Sequence, residues 1–108
     1  MKGQDFAQRV IDLVEMIPVG RVTTYGHIAK FLGTGGSART VGYVLGHSIQ
    51  GKNVPAHRVV NSAGLLTGKV AFGGDTMQIR LENEGVKIEN DRVQDFKKIL
   101  WNPLIELA

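Results

Sequence analysis

The sequence predicts an α-rich α+β domain, a winged helix-turn-helix completed by a short hairpin or wing. Three observations predict it. Apolar residues recur at helical spacing over most of the chain, two short helix patterns flank a glycine-rich turn, and a β-branched stretch punctuated by glycines follows them. With 108 residues, 43% of them apolar, residues 1–108 make one domain with a single core and little to spare.

Phe6, Val10, Leu13, Val14 and Ile17 repeat at helical spacing until Pro18 and Gly20 stop the run. In "RVTTYGHIAKFLG", Thr24 is a good N-cap, Ile28, Phe31 and Leu32 form an apolar stripe, and Gly33 ends it. After "TGG", Ser37 caps a second helix, "ARTVGYVLGHS", so the helix-turn-helix spans about 24–48. Its core face is Ala38, Val41, Val44, Leu45 and Ser48. Arg39, Gly42, Tyr43 and Gly46 share another face, at i, i+3, i+4 and i+7. Each interior glycine costs this helix roughly 1 kcal/mol relative to alanine. Close approach of another backbone is the usual compensation, and that backbone is either protein or a nucleic-acid strand.

"HRVVNSAGLLTGKVAF" carries the hairpin or wing. "GGDTMQIRLENEG" reads as a helix capped by Asp75 and ended by Gly85, with Met77, Leu81 and Glu84 on one face. An acid on an apolar stripe lies at its exposed edge or is buried with a hydrogen-bonding partner. Val93, Phe96, Ile99 and Leu100 suggest a last short helix, with Trp101 covering the core.

Charge is segregated. All ten acids lie at or before Glu15 or at or after Asp75, whereas Arg21, Lys30, Arg39, Lys52, Arg58 and Lys69 occupy the acid-free middle. The middle carries +6 and the flanks together −3. The plain reading is a solvated basic surface; the functional one is a face that meets a polyanion, nucleic acid first. Charge alone does not separate DNA from RNA or from a membrane surface. The absence of cysteine excludes disulfides, thiolate metal sites and thiol catalysis. No apolar run has the length of a membrane span, and the N-terminus lacks the pattern of a signal peptide, so the default location is cytoplasmic. No cofactor or metal is expected.

"NVPAHRVV", residues 53–60, poses the sharpest question. Pro55 fixes the backbone and His57 stands as a base, yet Ala56 between them can do no chemistry. "VPAHRVV" resembles the Pro-Cys-His-Arg-Val active-site turn of the O6-alkylguanine-DNA alkyltransferases, with Ala56 at the cysteine position. The resemblance runs from about Phe6 to Gly85 and includes "GRVTTYGHIA", "SARTVGYVL", "HRVVNSAG" and "LENEG" in the family's order. It implies the C-terminal, DNA-binding domain of those proteins without their N-terminal domain. Shortened forms without the cysteine are known as alkyltransferase-like proteins. Most of them have tryptophan there, so alanine is a less usual variant.

The resemblance also implies roles. His57 and Glu84 match the histidine that helps deprotonate the thiol and the glutamate that orients it. A base and its orienter need a group to activate, and Ala56 offers none; His57 is read as a structural hydrogen-bonding residue. Tyr25 matches the tyrosine that helps rotate the target base out. Arg39 matches the arginine that fills the vacated place from the minor groove, where Gly42 and Gly46 would let the helix lie close. Pocket walls are expected from Pro55, Ala56, His57, Arg58 and Val59 and from the loop around Lys69, Phe72 and Gly73, with Lys69 as a cation on the flipped base. Ser48 departs from the asparagine that holds the family's turn.

The implied function is non-catalytic recognition of O6-alkylguanine in duplex DNA by base flipping. The implied partners are lesion-containing DNA and nucleotide excision repair proteins, with the chain acting as a monomer. Three other readings stand beside it: a true alkyltransferase whose cysteine was changed to alanine, a sequence-specific winged-helix regulator, and a hydrolase using His57 with Ser62 or Ser48. The last has no nucleophile-elbow pattern behind it.

Overall fold

Local signals in the sequence set most helix boundaries in the computed structural model, which describes residues 3–33, 37–47 and 53–108. α1 covers Gly3–Val14, and its buried face, Val10, Leu13 and Val14, continues through a turn to Ile17. α2 covers Tyr25–Leu32: the Thr24 hydroxyl accepts from His27 N at 3.0 Å, and Gly33, at φ 64°, closes the helix in the left-handed region. α3 covers Ala38–His47, and Ser37 Oγ accepts from Thr40 N at 3.2 Å, as an N-cap should. Val41, Val44 and Leu45 face the core. Ala38, placed on that face by spacing, is exposed in the first turn, and Ser48 lies outside the described residues.

These helices and Trp101 enclose one apolar cluster, in which a fully buried Ile28 or Val41 is worth about 1.5–3 kcal/mol. A second cluster gathers Val22, Val60, Leu66, Met77, Leu81, Val86 and Val93. Phe72 packs against both. No described helix is long and apolar enough to cross a membrane.

The expected hairpin at 57–72 does not form. Val59–Val60 is a strand, β2, but it pairs in parallel with β1, Thr23–Thr24, in the register Thr23 to Val59 and Thr24 to Val60. Asn61 then ends the strand by accepting from Ala63 N and Leu65 N. "KVAF" becomes a short helix, α4, Lys69–Phe72. The β-branched pair was a sound strand signal, but its partner lies far back in the chain.

α5 covers Thr76–Asn83 with Met77 and Leu81 buried; Asp75 stands at its N-cap without a side-chain capping bond. The antiparallel hairpin instead joins β3, Ile88–Glu89, to β4, Arg92–Val93. Asn90 and Asp91 both have positive φ, 52° and 60°, as a tight two-residue turn demands. Val93 therefore belongs to a strand rather than to the last helix, and α6 is only Phe96–Ile99. A further helix, α7, Pro103–Glu106, follows, capped by Asn102. Arg21 ties this end down by donating to Ile99 O, Leu100 O and Glu106.

Candidate functional site

Ala56 opens a 3-10 turn, Ala56–Arg58, that begins behind Pro55 and runs directly into β2. The methyl group of Ala56 lies on the wall of a small pocket of about 70 Å³, shared with Tyr25, Gly42, Leu45, Gly46, Gly68, Ala71 and Phe72. Residues read from the sequence as two groups, one for the duplex and one for a base pocket, thus meet around one cavity: Tyr25, Gly42 and Gly46 with Ala56 and Phe72.

Tyr25, the first residue of α2, packs partly against the core, and its hydroxyl reaches the Thr67–Gly68 turn. A Cβ on Gly68 would lie 3.0 Å from that oxygen, so only glycine fits without a shift. Burial pushes the Tyr25 phenol above its usual range, with the Thr67 side chain opposing. Phe72 also lines the pocket, and the Arg80 guanidinium lies 5.6 Å from its ring centroid.

Behind the turn sits an imidazole–carboxylate pair. His57 Nε2 lies 2.8 Å from Glu84 Oε2. Glu84, at the C-terminal end of α5, is not at an exposed edge. Its carboxylate also accepts from Arg58 Nε at 3.0 Å, from Arg58 Nη2 at 2.7 Å and from Gly20 N at 3.4 Å. Arg58 spends its remaining nitrogen on Ile17 O, at 2.8 Å. Burial alone would raise the Glu84 carboxyl, but the bonds from Arg58 and His57 outweigh it and hold the group at about 2. His57 is shifted down, chiefly by burial, against the opposing pull of Glu84. A neutral imidazole with its Nε2 proton on Glu84 follows. Its other nitrogen, Nδ1, is buried and has no hydrogen-bond partner among the described residues.

Several expected pocket residues point elsewhere. Val59 is fully buried in the core, because the parallel pairing turns its side chain inward. His57 and Arg58 are committed to Glu84, so only Ala56 of the reactive turn lines the cavity. Pro55 is half-buried beside it without lining it. Lys69 does not line the pocket either: its ammonium pairs with Asp91 on the β3–β4 turn. Gly73 and Gly74 are exposed at positive φ and border no described side chain. Leu45, Gly68 and Ala71 were missed as lining residues; Leu45 carries a core signal, and the other two carry none.

Among the described residues, the glycines of α3 receive no protein backbone. A Cβ on Gly42 would meet only the Tyr25 ring, at 3.8 Å, and one on Gly46 would meet nothing within 4 Å. The basic middle of the chain is also less basic in space than in sequence. Arg21, Arg58 and Lys69 are paired with Glu106, Glu84 and Asp91 of the flanks. Lys30 and Arg39 are exposed, and neither enters an ion pair among the described residues.

The domain is thus helix-rich, with an imidazole–carboxylate pair next to a pocket that Ala56 lines with a methyl group. The family model described as 6-O-methylguanine DNA methyltransferase, DNA binding domain, matches residues 5–86, and the chain belongs to that family. It is 36% identical to alkyltransferase-like protein 1 of Schizosaccharomyces pombe over 95% of this chain and 100% of that one. It is 40% identical to a DNA base-flipping protein of Escherichia coli over 94% of this chain and 78% of that one. Its fold is similar to the crystal structure of the S. pombe protein Atl1 in complex with damaged DNA containing O6-carboxymethylguanine. That match has a TM-score of 0.83 at 35% identity and covers 95% of this chain and 100% of that one.

Proposed function

We propose that this chain binds O6-alkylguanine lesions in duplex DNA, holding the modified base outside the helix, and transfers nothing. α2 and α3 act as a helix-turn-helix, with α3 laid in the groove. The observation that carries this reading is the state of the Ala56 site. The pocket and the His57–Glu84 pair are in place, yet Ala56 has no lone pair to receive an alkyl group. Recognition needs the pocket; transfer needs the sulfur. Extruding a base costs a few kcal/mol and is cheapest where pairing is already weak, which favours a poorly pairing modified guanine. The product of such binding is the complex itself, and its consequence is recruitment of nucleotide excision repair proteins.

The relatives support this reading by what their names and titles say of them, a DNA base-flipping protein and a protein crystallised on damaged DNA. The test is a titration of two matched duplexes, one with a single O6-methylguanine, across a range of salt. Tighter binding of the modified duplex is expected, with both affinities falling as salt rises. Equal affinities at every salt concentration sink lesion recognition. An inactivated alkyltransferase is a second reading, favoured by the intact His57–Glu84 pair.

A further inference from the structure

Tyr43 is an aromatic residue with 63% of its surface exposed, on the helix that borders the pocket. Its ring stacks on His47, with centroids 4.1 Å apart and planes inclined by 20°. His47 Nδ1 lies 2.9 Å from Tyr43 O, which fixes the imidazole under the phenol. Ordering two exposed rings costs side-chain entropy, and the pair covers no part of the core. Arg39, Tyr43 and His47 follow one another at i, i+4 and i+8, so the aromatic pair continues the line of Arg39 along α3. On the same helix Gly42 and Gly46 carry no side chain, and a Cβ on Gly46 would meet nothing within 4 Å among the described residues.

We propose that Tyr43, held flat by His47, is a further DNA-contact residue, a platform that packs against a sugar or base face of the duplex next to the position Arg39 occupies. The inference rests on the lesion-binding reading and names a residue that the pocket alone does not supply. Two observations select DNA as the occupant. Residues 25–47 contain no acid, and Lys30 and Arg39 lie exposed on the same pair of helices, so the surface suits a polyanion. The platform is also continuous with the pocket, because Gly42 and Gly46, which lie along one side of Tyr43 on the helix, both line it. Where a base has lost its neighbour, as beside an extruded one, an aromatic ring stacks on it irrespective of sequence. The contact therefore adds affinity without adding sequence preference.

The experiment measures affinity for the O6-methylguanine duplex and its unmodified match, each over a salt series, for wild type, Tyr43→Ala, Tyr43→Leu, Tyr43→Phe and His47→Ala. Tyr43→Ala should weaken binding to the lesion duplex about tenfold, the size of one lost stacking contact. The slope of log affinity against log salt should not change, because no charge is removed. Tyr43→Leu keeps an apolar side chain and good helix propensity, and should show most of the same loss. Tyr43→Phe should bind as wild type does, and His47→Ala should lose part of the affinity by freeing the ring. Wild-type affinity in both Tyr43→Ala and Tyr43→Leu overturns the platform while leaving lesion recognition intact. A wild-type chain with no preference for the modified duplex overturns both.

Discussion

His57 and Glu84 face each other at 2.8 Å, Nε2 to Oε2, across 27 residues of sequence, and the imidazole's second nitrogen is buried without a partner among the described residues. The contact ties the turn that carries Ala56 to the C-terminal end of α5. The Glu84 carboxylate is also divided, since Arg58 takes both oxygens through Nε and Nη2. The pair holds the reactive turn against the end of α5 whether or not any proton moves.

Ala56→Cys places a sulfur on the residue next to His57. Transfer still requires the thiol to ionise and the sulfur to align with the O6–alkyl bond, and a small misplacement costs about a hundredfold in rate. Burial resists the imidazolium that a deprotonated thiol would leave on His57, and the charge of Glu84 is already shared with Arg58. Ala56→Cys is expected to bind the lesion duplex well and to transfer alkyl groups slowly or not at all. Mass spectrometry of the peptide carrying residue 56, after incubation with methylated duplex, reads the answer. Rapid stoichiometric gain of one methylene would favour an inactivated enzyme.

Acid should unfold the domain through the same cluster. Glu84 is held at about 2 from an ordinary 4.5, so the native state binds its proton less readily than the unfolded chain. The stability this supplies is present above about 4.5 and is lost as pH falls toward 2. It amounts to something on the order of 3 kcal/mol. His57 acts in the same direction from a higher starting point. Its lowered value means the unfolded chain takes up the proton first as pH drops below 6.5. Urea midpoints should therefore decline from near pH 6.5 downward, and Glu84→Gln should flatten the decline below pH 4.5. An unaltered acid limb in Glu84→Gln contradicts the assignment.

Gly46→Ala separates stability from binding. A Cβ there meets nothing within 4 Å among the described residues, so the substitution gains up to about 1 kcal/mol of helix propensity, less the closer it lies to the end of α3, and raises Tm. If the bare backbone exists to let DNA approach, the same variant should lose affinity for the lesion duplex. A more stable variant with unchanged affinity would mean that the glycine has another cause.

Tyr25 and Arg39 are assigned different tasks, and the structure dictates how each is tested. Arg39 is exposed, so Arg39→Ala should leave the helices intact, weaken lesion binding and reduce the salt slope by about one. Tyr25 packs partly against the core, so alanine there would cost stability as well. Tyr25→Phe removes only the hydroxyl and should lower the signal of a fluorescent base analogue placed at the lesion. Extrusion undiminished in both variants contradicts the two roles.

The sequence by itself determined whatever rests on near neighbours. Thr24, Gly33 and Ser37 act within three or four residues of themselves, and the apolar spacing of α1 and α2 is a property of one helix at a time. The motif around Ala56 was equally legible, because its residues are consecutive. Tertiary structure decided the partners. Val59 and Val60 signalled a strand, but a two-residue strand has no periodicity to name its neighbour, and Thr23–Thr24 lies 36 positions back. Lys69 was drawn to Asp91 and Arg58 to Glu84, so charges counted as an open basic stretch are partly neutralised across the fold. Ion pairs and pocket walls form between segments distant in sequence, and their energies depend on distances and burial that exist only once the chain has closed on itself.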